Sequence, residues 1–386
     1  MKKLIIIAFA AISSTFYSQT FIQAYQDRSN QISQANINAN LQSLEGFGVK
    51  TTGSANNNNA FNWLKNKYHS FGYTNTQIEE QTFTYNGNSS KNLIVTKTGT
   101  LYPNTFVIVC GHYDTVVGPG VNDNGSGVSI ILEAARILKD ISTQYSIKFI
   151  HFSGEEQGLL GSQAYVNNVV NATTPKMDIR LVLNLDQVGG IAGQSSNTIK
   201  CEKDASLPAS NDAASATKTQ ELMNCVTLYS PLQPILSNAY SSDYMPFQSN
   251  GEVITGLFET PESTRPHTSA DTFANMDPTY VFKVGKATIG AIQHFAVASS
   301  QLGVNEAEKA NLKFSVVPNP AKDKIVLHFD FKNAKFEFTL SDVSGKKILT
   351  SENQKEINIA HLENGVYIGV LKINDDVYSE KIIVNR

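Results

Sequence analysis

Between residues 106 and 186 one pattern repeats along the chain: a short run that is apolar throughout, a polar turn, then apolar residues at helical spacing. The runs are 106–110 (FVIVC), 146–152 (SIKFIHF) and 181–185 (LVLNL), with a further strand expected over 252–258. Strands that are apolar at every position, not at alternate ones, are buried on both faces. The pattern therefore predicts an α/β fold with a mixed, mostly parallel central sheet and helices on both faces. Val128, Ile131, Leu132, Ala135 and Leu138 mark one covering helix; others are expected near 162–170, over about 212–229 and within 278–299. The remainder of 190–250 reads as less regular.

Ahead of this block, residues 20–100 read as an opening helix, a second amphipathic helix and two strands. The second helix has Phe61, Leu64, Tyr68 and Phe71 on one face, with Asn57, Asn58 and Asn59 as capping candidates and Gly72 as its stop. After a polar stretch at 301–312, which reads as a linker, the period shortens to alternating strands at 324–329, 335–340, 365–373 and 378–384. That predicts a small all-β sandwich domain over residues 313–386. At the other end, Met1-Lys2-Lys3, an apolar run over 4–12 and small polar residues to Gln19 have the layout of a secretory signal peptide over 1–18. The run is too short to cross a bilayer, and no transmembrane anchor is expected elsewhere.

Composition changes this picture little. With 386 residues, a net charge of -3 and 41% hydrophobic residues, the chain has the balance of a soluble globular protein. It carries neither the basic footprint of a nucleic-acid binder nor a polybasic membrane patch. Three cysteines make no disulfide framework. Cys110 ends an apolar run, and a Cys201–Cys225 pair in an oxidising compartment is left open.

The chemistry-bearing residues stand just past the apolar runs, where open sheets of this type gather their sites. They are His112 and Asp114, Asp123 in a glycine-rich loop, the adjacent Glu155 and Glu156, Asp186, and His267 in a loop further on. Taken singly, each has an ordinary structural explanation: a solvated acidic turn, a helix cap, a His-x-Asp pair. Together, two imidazoles and three carboxylates suit two borderline ions such as zinc. Two dications against three carboxylates and one hydroxide come to neutrality, which a cleft can hold without a large desolvation cost. Such ions would acidify a water and polarise a carbonyl. Glu155, the carboxylate left over, is the candidate base, and Asp114 is placed to take the second ring proton of His112.

The segments GHYDTV, GVNDNGSG, FSGEEQGLLGS, NLDQVGG and HTSADT, in this order, resemble the secreted di-zinc aminopeptidases, the bacterial leucyl aminopeptidase-like zinc peptidases of phosphorylase/hydrolase-like fold. The resemblance covers roughly residues 35–300 and implies a zinc aminopeptidase domain at 19–300. It implies two zinc ions per chain, one on His112 and Asp186, the other on Glu156 and His267, with Asp123 bridging. It makes Glu155 the general base, Asp114 the partner of His112, and peptides the substrates. Tyr240, Asp243 and Tyr244, in AYSSDYMPF, look like the segment lining the substrate site, where either tyrosine is a candidate to stabilise an oxyanion. Pro266 precedes His267, where some members have a tyrosine.

The C-terminal segment, with FSVVPNP, LSDVSG and LENGVY, resembles the sorting domain of type IX secretion. It implies export through the periplasm to the extracellular space or cell surface, with the secretion machinery as partner. The expected function is N-terminal residue removal from peptides. Competing readings are a glutaminyl-peptide cyclotransferase with a single zinc, a dipeptide carboxypeptidase, and a non-catalytic surface binding module.

Overall fold

The computed structural model describes residues 19–300, 314–329, 335–342, 346–373 and 376–385. The expected leader at 1–18 and linker at 301–312 lie outside the described residues. The chain divides into two units, residues 1–301 and 302–386.

The first unit is built on an eight-stranded sheet. Its strands are β1 (Ile78–Tyr85), β2 (Asn88–Lys97), β3 (Tyr102–His112), β4 (Tyr145–Phe152), β5 (Asp178–Leu185), β6 (Thr198–Lys203), β7 (Gln233–Asn238) and β8 (Ile254–Thr260), in the spatial order β1-β2-β4-β3-β5-β8-β6-β7. The central β4, β3, β5 and β8 run parallel, whereas β1, β2 and the β8–β6 pairing are antiparallel. Burial alternates between the two faces along β3. Val107 and Val109 pack into one apolar cluster with Leu64, Leu132 and Val284, while Ile108 and Cys110 pack into another with Tyr165 and Phe247. A strand covered on both sides has no polar face, which is why its residues read as one unbroken run.

The helices are α1 (Gln23–Ser29), α2 (Gln34–Gly46), α3 (Ala55–Ser70), α4 (Gly125–Leu138), α5 (Leu160–Tyr165), α6 (Asp212–Tyr229), α7 (Met245–Ser249) and α8 (Pro278–Phe295). A single π-helical turn, Val166–Val170, continues α5. Several expectations need correction. The opening region holds two helices, and α3 is capped by Ser54, whose hydroxyl accepts Asn57 N at 3.2 Å. Asn57, Asn58 and Asn59 therefore lie inside the first turns of α3 and do not cap it. The stretch that reads as less regular contains β6, β7 and α7. β7 escaped notice because it is an edge strand containing Pro234 and exposing Ile235 and Leu236, so its pattern is not that of a buried strand. Cys110, Cys201 and Cys225 are all buried free thiols. Among the described residues no helix is long and apolar enough to cross a membrane.

The second unit consists of two antiparallel sheets. One contains β9 (Ser315–Val317), β10 (Lys324–His328) and β13 (Glu356–Asn358); the other contains β11 (Phe336–Asp342), β12 (Lys347–Glu352), β14 (Gly365–Ile373) and β15 (Asp376–Val384). Val316, Ile325 and Leu327 from the first and Phe338, Leu340, Leu371 and Ile373 from the second share one core.

Candidate metal centre

Four parallel strands deliver the site. β3 ends on His112, and β4 ends two residues short of Gly154, with Glu155 and Glu156 next. Asp186 follows β5 directly, and the loop beyond β8 carries His267. Asp123 precedes α4, on a loop that doubles back through Gly120 at φ +59°. A Cβ at Gly120 would collide with the Thr115 methyl and the Asp123 carbonyl, so the loop can close only around glycine.

The five expected ligands converge. His112 Nε2 stands 3.1 Å from Asp123 Oδ1 and 3.4 Å from Asp186 Oδ1. His267 Nε2 stands 3.1 Å from Asp123 Oδ2 and 2.9 Å from Glu156 Oε2. Asp123 thus offers one oxygen to each ring. Glu155 Oε2 lies 3.9 Å from His112 Nε2, further out than the ligand set, and its side chain is 12% exposed. Ligand atoms of His112, Asp123 and Glu156 all fall within 4.8 Å of one another.

The donor set and its electrostatics fit divalent ions. His112 Nε2, Asp123 Oδ2 and Asp186 Oδ1 are enclosed yet have no hydrogen-bond partner among the described residues, a costly state for buried polar atoms. Burial pushes Glu155 up to about 10, with Asp186, Asp243 and Asp114 adding to it against the His112 ring. Burial likewise lifts Glu156 to about 8, helped by Asp123. Burial also opposes ionisation of Asp123, but the two imidazoles outweigh it and bring that carboxyl down to about 2. Several carboxylates crowd a volume that holds two imidazoles, a balance that dications would restore.

Asp114 is fully buried, and its role is wider than expected. Its Oδ1 accepts Glu155 N at 3.2 Å and its Oδ2 accepts Glu156 N at 3.3 Å, with the Thr52 hydroxyl also on Oδ2 at 3.3 Å. For the His112 ring, the nearer partner of Nδ1 is the Asp114 main-chain carbonyl at 3.2 Å; the carboxylate stands at 3.7 Å.

The segment after β7 also reaches the centre. Ser242 donates to Asp186 Oδ2 at 2.6 Å and accepts from Asn184 Nδ2 at 2.9 Å. Asp243 is buried, and burial raises its carboxyl to about 7. Tyr244 donates to Glu202 Oε2 at 2.8 Å and accepts Tyr240 N at 2.8 Å, so its hydroxyl is engaged. The Tyr240 hydroxyl is enclosed without a partner among the described residues. Burial raises its pKa well above the usual phenol, and the charges of Asp186 and Asp123 add to that. Sequence reasoning missed Ser242, Asp271 and Lys50. The first two stand inside the segments AYSSDYMPF and HTSADT, and Lys50 is a lone lysine with no pattern around it.

Residues 92–292, a little over half of the chain, match the model of peptidase family M28, and residues 315–385 match the secretion system C-terminal sorting domain. Aminopeptidase YwaD of Bacillus subtilis is 31% identical over 218 residues, covering 51% of this chain and 45% of that protein. The chain spans less than half the length of the curated relatives it matches first. Among solved structures, the LapA aminopeptidase of Legionella pneumophila shares the fold, with a TM-score of 0.62 at 21% identity over 78% of this chain and 81% of that one. A Bacteroides thetaiotaomicron glutaminyl cyclase bound to N-acetylhistamine also shares it, with a TM-score of 0.56 at 18% identity over 68% of this chain and 98% of that one.

Proposed function

The chain belongs to peptidase family M28, and from that premise we propose that it is an exported zinc aminopeptidase that removes N-terminal residues from peptides. The observation that carries this reading is the bridging position of Asp123, one oxygen 3.1 Å from each of two imidazoles, one at the end of β3 and the other on the loop beyond β8. His112 and Asp186 would hold one zinc, His267 and Glu156 the other, with Asp123 common to both. Zinc, when bound, acidifies a water and polarises the scissile carbonyl.

The protein's own groups do the rest. Glu155 has a more exposed side chain than Asp123, Asp186 or Glu156, 12% against 3–4%, and lies near His112, which suits a group that must exchange protons. Its Oε2 takes the proton of the attacking water and returns it to the leaving nitrogen. Asp114 holds the backbone amides of Glu155 and Glu156, so the two side chains leave a fixed peptide in different directions. Tyr240, with its free hydroxyl, is the donor for the oxyanion. Asp243, buried nearby, adds its negative charge to that of Asp186 around Glu155. The sorting domain at 315–385 supports export by the type IX machinery to the extracellular space or cell surface.

The test is turnover on a panel of aminoacyl p-nitroanilides, with and without chelator, alongside metal analysis. Glu155→Gln should keep its metal and lose about 10²–10⁴ in kcat; an active variant would sink the assignment of the base. An N-terminal glutaminyl peptide belongs in the panel because a glutaminyl cyclase shares the fold. Its cyclisation, with one metal per chain, would replace this reading.

A further inference from the structure

Two pairs of consecutive backbone amides in the centre are gripped in the same way. Asp114, two residues after His112, takes Glu155 N and Glu156 N on its two oxygens. Asp271, four residues after His267, takes Asn122 N on Oδ1 at 2.7 Å and Asp123 N on Oδ2 at 3.0 Å. In both cases a carboxylate a few residues past a histidine closes on the peptide that carries a carboxylate ligand. Two main-chain bonds continue the second clasp, Val121 N to Asp271 O at 3.3 Å and Asp271 N to Thr268 O at 3.2 Å.

His267 depends on such a clasp more than His112 does. His112 ends a central strand paired on both sides and is 1% exposed. The His267 side chain is 59% exposed, on a loop, with its backbone at φ +56°. Asp271 itself is buried, so its charge must be met inside the protein. The amides of Asn122 and Asp123 meet it directly. The buried Lys50 adds to them: its ammonium donates to the carbonyls of Pro119 and Gly48, and of the acidic groups that favour its charge Asp271 counts most.

We propose that Asp271 is a positioning residue that locks the His267 loop onto the Asp123 loop and so completes the second metal position, the one formed by His267, Glu156 and Asp123. This rests on the two-metal reading given above. In Asp271→Asn the amide oxygen can satisfy one backbone N–H, while its NH₂ group faces the other. The clasp is halved at unchanged size.

Zinc per chain is measured after dialysis against graded chelator, together with the visible spectrum of the cobalt-substituted protein. Wild type should hold two equivalents. Asp271→Asn should hold the ion of the His267 position about 10–100-fold more weakly, the usual range for losing a group that orients a metal ligand, with a smaller loss at the His112 position, which shares Asp123. Asp271→Glu, which restores the carboxylate, should recover part of the second affinity. Both ions held at wild-type affinity in Asp271→Asn would overturn the inference. Parallel loss of both ions with a lowered melting temperature would also overturn it, because it would mark a general structural role. If wild type itself binds one ion, the two-metal reading fails first, and this outcome is distinct from the other two.

Discussion

The division between Tyr240 and Tyr244 is open to a two-sided test. In Tyr240→Phe, the lost hydroxyl has no hydrogen-bond partner among the described residues. The ring keeps its edge-on contact with Phe258 at a centroid distance of 4.9 Å. Stability should therefore stay within about 0.5 kcal/mol of wild type. If the hydroxyl donates to the oxyanion, kcat should fall by about 10²–10³, or roughly 2.7–4 kcal/mol of barrier, with KM little changed. Tyr244→Phe should do the reverse. It removes two hydrogen bonds of 2.8 Å, to the buried Glu202 carboxyl and from Tyr240 N. A buried acceptor and a backbone donor are left unpaired, at about 1–3 kcal/mol each. Burial already lifts Glu202 to about 8, so near neutral pH that group is mostly uncharged. The expected total is accordingly near the low end, about 2–3 kcal/mol. Urea midpoints and steady-state kinetics on one aminoacyl p-nitroanilide read both quantities. Full kcat in Tyr240→Phe, or a selective loss of kcat with intact stability in Tyr244→Phe, would refute the assignment.

Two further outcomes are expected. Chelation should lower the melting temperature, and zinc should restore it, because the cluster keeps carboxylates crowded around enclosed, partnerless atoms. Free zinc at a thousandfold excess over its Kd would contribute about 4 kcal/mol, and an unchanged melting curve would count against a metal-stabilised centre. Independently of the site, burial holds the His151 ring down to about 3 from an ordinary 6.5. Between those values the unfolded chain binds the extra proton, so this contribution is complete above pH 6.5 and is lost as the pH falls toward 3. The loss from pH 6.5 to 5 should be about 2 kcal/mol. The slope of the urea midpoint against pH should flatten in His151→Gln, and equal slopes would refute it.

What could be read from the sequence was whatever leaves a periodic or compositional trace. β3, β4 and β5 are buried on both faces, so their residues appear as apolar runs, and the proposed ligands His112, Glu156 and Asp186 stand where those runs stop. His267 was identified from its segment although it lies in a loop, because its residue type completed a donor set. β6 and β7 could not be read, because their pairing, β8–β6 antiparallel and β6–β7 parallel, is decided by partners far away in the sequence. The residues that orient the ligands were missed for a related reason. Asp271 and Ser242 act through hydrogen bonds to partners as far as 149 and 58 positions away. Nothing in local composition separates such an aspartate or serine from one at the surface.

In the proposed assignment, Glu155 and Glu156 turn adjacency into a difference of role. Neighbouring residues share a backbone, so whatever fixes that backbone fixes both side chains at once. Here Asp114 does so from inside the protein, with one oxygen for each amide. Gly154, at φ +79°, turns the chain after β4 so that those amides face inward. Glu156 then reaches His267 at 2.9 Å, whereas Glu155 stops 3.9 Å from His112 with part of its surface in water. A ligand must stand close to the other donors; a base must stay within reach of solvent and lie just outside the ligand distance. Loosening Asp114 would therefore disturb both duties together. Asp114→Asn should lower metal affinity and kcat in the same variant, whereas Glu155→Gln should lower kcat alone.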